Sequence, residues 1–242
     1  MVEPTNPPKA MPQRIQAKDI EPELKRLIAE ATPVEPGLAG RLDEMRRWIK
    51  AKKPGQLMSK RHVMDFLVEL YVDAKVWLDL KALEPEARQA CVDQMTPAEQ
   101  YWYTELFPRW FNEPDPKLSI WKQKLMAGES DQEDKGLIDN LCNCIDERQG
   151  SSWACYILDL SMATDLIASG ILKTPLCVQL TTLSNPLSVD KKARWELTLR
   201  YWKIQRALFV SFNPTRDRSV LENRILQESD HLPASCYTEI EI

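Results

Sequence analysis

The sequence predicts an all-α fold: a single-domain irregular helical bundle of about nine to eleven helices with disordered N- and C-terminal tails. Three observations predict it. Only seven of the 242 residues are glycine, whereas hairpin turns and phosphate-cradling loops need φ > 0. Several of the seventeen prolines follow a Thr or an Asp, the cap-then-proline signature of a helix start. Apolar residues recur at helical spacing along most of the chain.

Taken in order, residues 1–17 are Pro-rich and aperiodic, which reads as a disordered tail. Ile20, Leu24, Leu27 and Ile28 form an apolar stripe that stops at Thr32-Pro33. Leu38, Leu42, Met45 and Ile49 repeat the pattern and end at Lys53-Pro54-Gly55. Ser59 is expected to cap a long helix carrying Val63, Phe66, Leu67, Leu70, Ala74, Trp77 and Leu78 on one face. Thr96-Pro97-Ala98-Glu99 spells a capping box, in which the Thr oxygen and the Glu carboxylate each satisfy a free backbone N–H. Asp115-Pro116 and Thr174-Pro175 repeat the cap-then-proline signal.

WACYILDLSMATDLIASGIL, residues 153–172, is long enough to cross a bilayer. Asp159 and Asp165 would each cost about 2.5–3.5 kcal/mol near its centre, so no membrane span is expected. It reads instead as a buried bundle helix closed by Gly170. Ser188 and Asp190 open a further helix through Trp195, Leu199, Trp202 and Leu208 to Phe212. Asn213-Pro214 separates a last helix, Thr215 to about Gln227. The domain is placed at 18–228, with the acidic stretch GESDQEDK at 128–135 as the alternative boundary, and 229–242 reads as a tail.

Net charge is −4, so no global field draws the chain to nucleic acid. Locally the charge alternates. Arg46 to Arg61 holds seven basic residues and no acid, and Met126 to Asp165 holds nine acids against Lys135 and Arg148. Six cysteines are too sparse for a disulfide scaffold, and MVEPTNPPKAMPQRIQ lacks the apolar core of a signal peptide. A reducing, cytoplasmic setting is expected.

Two groups of side chains are candidates for binding. QYWYTELFPRWF, residues 100–111, holds six of the nineteen aromatic residues. Its Tyr101, Trp102, Tyr103, Trp110 and Phe111 fan around a helix and a Pro108 bend, either as core or as an exposed anchor for a protein partner. RRWIKAKK and RWELTLRYWKIQR supply Arg46, Arg47, Lys50, Lys52 and Lys53, then Arg194, Arg200, Lys203 and Arg206. These bases, interleaved with Trp48, Trp195, Tyr201 and Trp202, could meet phosphates while rings stack on bases of single-stranded nucleic acid. Their alternative use is docking onto the acidic 126–165 stretch of another copy.

Catalytic and metal motifs are scarce. Cys142 and Cys144 lie two apart on a helical pattern, so their thiols diverge, and no metal or other cofactor is expected. DQEDKG opens like a calcium loop but puts Lys135 and Cys142 where oxygen ligands are needed. Arg224 followed by His231, in NRILQESDH, resembles the motif of HEPN-type ribonucleases; the resemblance implies that the Arg holds phosphate and the His supports attack by a 2′-hydroxyl. It spans nine residues and departs from that pattern in Asn223 before the Arg. The end of the sequence, CYTEIEI, resembles both a carboxylate motif that a PDZ groove accepts by strand addition and a tyrosine-based adaptor signal.

The reading is a non-catalytic interaction protein, an assembly factor or adaptor, with nucleic-acid binding through 46–61 and 191–218 as the first alternative. The nuclease reading on Arg224 and His231 is the second.

Overall fold

The computed structural model of the chain describes residues 15–50, 52–128, 132–182, 189–213, 215 and 218–242. Helices α1 (Ile20–Ala31), α2 (Pro36–Lys50), α3 (Pro54–Met58), α4 (Arg61–Ala82) and α5 (Pro85–Gln94) come first. Then α6 (Pro97–Tyr101), a π-helical turn (Trp102–Leu106) and α7 (Phe107–Asn112) follow one another without a loop, before α8 (Leu118–Ala127) and α9 (Gln132–Glu147). The rest alternates: β1 (Ser151–Trp153), α10 (Tyr156–Met162), β2 (Leu166–Ser169), β3 (Leu176–Thr182), α11 (Val189–Tyr201), β4 (Arg206–Phe212), α12 (Arg218–His231) and β5 (Cys236–Glu241).

These elements form two compact units. The first takes Met1–Met95 and Phe107–Ser130, and its described elements are helices. The stripes read from sequence are its core: Ile20, Leu24 and Leu27 of α1, Leu38, Leu42, Met45 and Ile49 of α2, and Val63, Phe66, Leu67 and Leu70 of α4 are all buried. Trp48, Phe66 and Trp121 meet edge to face or tilted, with centroids 5.0–6.2 Å apart. Asp115, expected to open a helix, sits in the turn before α8. Its carboxylate accepts from the Lys117 N–H and from both the Trp110 and Trp121 indoles.

The second unit takes Thr96–Leu106 and Asp131–Ile242. Its centre is a five-stranded mixed sheet in the order β1-β2-β3-β4-β5. The β1–β2 and β2–β3 pairs are antiparallel, and β3–β4 and β4–β5 are parallel, with α11 and α12 as the crossovers. One face packs Leu166, Ala168, Leu176, Val178, Leu208 and Val210 against Leu141 and Ile145 of α9 and Leu221 and Ile225 of α12. On the other face Trp195 of α11 stands edge-on to Phe209 at 5.3 Å and tilted to Tyr237 at 6.1 Å. The capping box forms as expected at the start of α6: the Thr96 hydroxyl accepts from the Glu99 N–H, and the Glu99 carboxylate accepts from the Thr96 N–H at 2.8 Å.

The sheet corrects the all-α expectation, and the reason is physical. Residues 153–172, read as one buried helix, are the end of β1, then α10, then β2, because Ala163 turns to φ +53 and ends the helix. The helix expected from Ser188 to Phe212 stops at Tyr201; Lys203 turns at φ +54, and RALFVSF is β4. All seven β4 residues are buried. A strand covered on both faces loses the polar–apolar alternation that would reveal it, so a short apolar run reads equally as helix. Thr174-Pro175 leads into β3 rather than a helix, and the expected C-terminal tail is the end of α12 followed by β5. Scarce glycine did not preclude a sheet: Gln149, Ala163, Lys173, Lys203 and Ser235 take the left-handed turns instead. Of the expected N-terminal tail, residues 1–14 lie outside the described residues, as do Ser188, Pro214 and Glu129–Asp131 of the acidic stretch.

Candidate partner-binding edge

The aromatic candidates point inward within their own units. Trp102, Tyr103, Trp110 and Phe111 are buried and Tyr101 is half-buried. Tyr103 meets Trp153 edge-on at 5.5 Å, and Phe111 meets Trp77 at 5.7 Å. The Arg41 guanidinium lies 4.9 Å over the Trp110 ring and donates to the carbonyls of Trp110 and Glu113. A π turn precedes Pro108, which has no N–H to donate to the Thr104 carbonyl in a regular helix.

The basic candidates divide. Arg46 is held by Asp43 and Glu21, Arg47 by Asp43, and Arg200 by Glu196. Lys50, Lys52, Lys53, Arg194 and Lys203 are exposed. Arg206 is buried and works as a structural clamp, donating to the carbonyls of Pro175, Leu232, Glu228 and Ser229. Burial pulls its guanidinium below the ordinary arginine range, and nearby Asp230 opposes that.

Arg224 and His231 sit two turns apart on α12. Arg224 pairs with Glu228 at 2.9 Å and donates to the Gln227 side chain; His231 Nδ1 is 2.7 Å from the Gln227 carbonyl. The Cys144 thiol is pushed up by its hydrogen bond to the buried Glu222 carboxylate, which Arg148 also holds at 2.8 Å. Asp165 accepts from the Leu180 N–H at 2.6 Å and the Gln179 side chain at 2.8 Å, which pins the start of β2 to β3. Among the described residues no group of three or more metal-ligating side chains comes together.

The site that sequence reasoning missed is the outer edge of β5. The two edges of the sheet differ. β1 is short, and the Ala98 N–H of α6 donates to the Ser151 hydroxyl beside it. β5 is twice as long. Ile242 donates to the Ser211 carbonyl and accepts from the Asn213 N–H, so its backbone faces β4. Alternate residues of a parallel strand face alternate neighbours, so Thr238 and Ile240 also face β4 while Tyr237, Glu239 and Glu241 turn their N–H and C=O outward. No backbone hydrogen bond reaches those outward groups among the described residues. Beside this edge runs an open groove of about 630 Å³ lined by Val220, Asn223, Arg224 and Gln227 of α12 and by Ile240, Glu241 and Ile242. The only sequence signal was the alternation in CYTEIEI.

The chain matches no protein-family model, no curated protein and no solved structure. No helix among the described residues is long and apolar enough to cross a membrane.

Proposed function

We propose that this protein acts by binding, as an adaptor or assembly factor, and that its recognition element is the open edge of β5. One observation carries the reading: a parallel edge strand, its outward N–H and C=O groups unpaired among the described residues, lies beside a groove floored by Ile240 and Ile242. An exposed edge is a template for another strand, and natural proteins usually blunt it. Backbone pairing gives such a site affinity, and the flanking groove gives it selectivity. Six free thiols fit a reducing, cytoplasmic setting for this role.

The test is a proline. At position 239 it removes an outward N–H that β4 does not use, so the sheet is retained while the docking edge loses a donor. Random short peptides would be selected on the wild-type protein and re-measured on Glu239→Pro. Peptides that bind the first and not the second support the edge. Peptides indifferent to the substitution bind elsewhere, and the reading fails.

The nucleic-acid reading keeps one specific support. Lys50, Lys52 and Lys53 are exposed at the end of α2 and the start of α3, in a stretch without acids.

A further inference from the structure

We infer that the β5 edge accepts an extended segment alternating apolar and basic side chains. The inference rests on the edge reading above and adds the chemistry of the occupant. A strand laid along β5 places its own side chains on the two faces of the sheet in turn, with a period of two. On the α12 face those side chains meet Val220, which is 48% exposed, and Ile240 over a floor of Ile242. Asn223, Gln227 and the Glu228-paired Arg224 line the α12 wall, which among the described residues offers a basic side chain no anion beyond the already paired Glu228. Apolar side chains fit there.

On the α11 face they meet Glu239 and Glu241, which share the face of Tyr237 and are both exposed. Lys192 reaches Glu239 at 3.1 Å, and Glu241 has no ion-pair partner among the described residues. The strip is therefore net acidic, and basic side chains complement it. A second copy is the weaker occupant. Antiparallel pairing of two β5 strands centred on Glu239 or Ile240 sets Glu239 against Glu239 or Glu241, and like charges directly opposite destabilise a sheet. The register centred on Thr238 sets Glu239 against Tyr237 and gains no opposite charge.

The test uses two short synthetic peptides, one alternating Val and Lys and one alternating Val and Glu, titrated into the full chain by fluorescence anisotropy at low and high salt. The Val–Lys peptide is expected to bind roughly tenfold tighter, by an amount that shrinks with salt. The double variant Glu239→Lys with Glu241→Lys is expected to reverse that preference, and Glu239→Pro to lose both peptides. Equal affinities, or a preference that charge reversal leaves alone, overturn the alternation; if Glu239→Pro still abolishes binding, the edge itself stands. Binding that ignores Glu239→Pro, or no binding by either peptide, removes edge and alternation together. A dimer in sedimentation that Glu239→Pro dissolves overturns the inference in favour of a second copy.

Discussion

Arg206, the first residue of β4, donates from Nη2 to the carbonyl oxygen of Ser229 near the end of α12 at 2.6 Å. The same guanidinium reaches Pro175 at the entry to β3 at 3.0 Å and Leu232 before β5 at 2.9 Å. One planar cation thus joins the starts of three neighbouring parallel strands. Arg206→Ala is expected to cost about 3 kcal/mol, since hydrogen bonds to a charged group contribute roughly 1.5–3 kcal/mol each and do not add. Arg206→Lys should recover only part, because an ammonium lacks the planar fork. Urea unfolding would show it; a surface arginine would leave the midpoint unmoved.

Trp102 and Trp110 are fully buried. Truncating either to Ala should lower stability by about 3–5 kcal/mol. Circular dichroism on heating checks this. A variant that melts like wild type would mean that its ring is free of the core and available to a partner.

Two neighbouring prolines should behave oppositely. Thr238 donates its N–H towards β4 by the period-two rule, so Thr238→Pro removes a ladder bond, leaves a β4 carbonyl unpaired and should cost about 1–3 kcal/mol. Glu239 points its N–H outward, so Glu239→Pro should move the melting temperature little. Equal damage from both would show that the assigned register of β5 is wrong.

Cys177 is buried in β3, and burial pushes its thiol up to about 12. The folded state therefore favours the protonated thiol. Its stabilising effect is complete below the unfolded value near 9 and is lost as pH rises from there towards about 12. Cys177→Ala should flatten the alkaline limb of the stability profile in that window. At neutral pH Cys177 should resist a thiol reagent that labels half-buried Cys91, Cys142 and Cys236.

If the exposed lysines bind nucleic acid, a Lys50→Glu, Lys52→Glu, Lys53→Glu variant should lose affinity for a single-stranded oligonucleotide in a gel-shift assay. The salt slope should shrink by about 0.7 for each phosphate contact removed. Arg206→Ala should not change that slope, because its guanidinium faces backbone carbonyls.

The first half of the chain was legible because its helices bury one face. Ile20, Leu24 and Leu27, or Leu38, Leu42 and Met45, show period 3.6 because the opposite face stays wet. The Thr96–Glu99 capping box was legible for a related reason: its partners lie within one turn.

The sheet was not legible in the same way. β4 is covered on both faces, so its alternation vanished, and the turns before β4 and β5 use Lys203 and Ser235 where glycine was the expected sign. The candidate edge was hidden for a different reason. Local sequence determined that CYTEIEI alternates; it did not determine that a strand would pair along one side only. Pairing is long-range, and only the tertiary structure, by laying β4 along one side of β5, decided which backbone groups of Tyr237, Glu239 and Glu241 no other described residue pairs with.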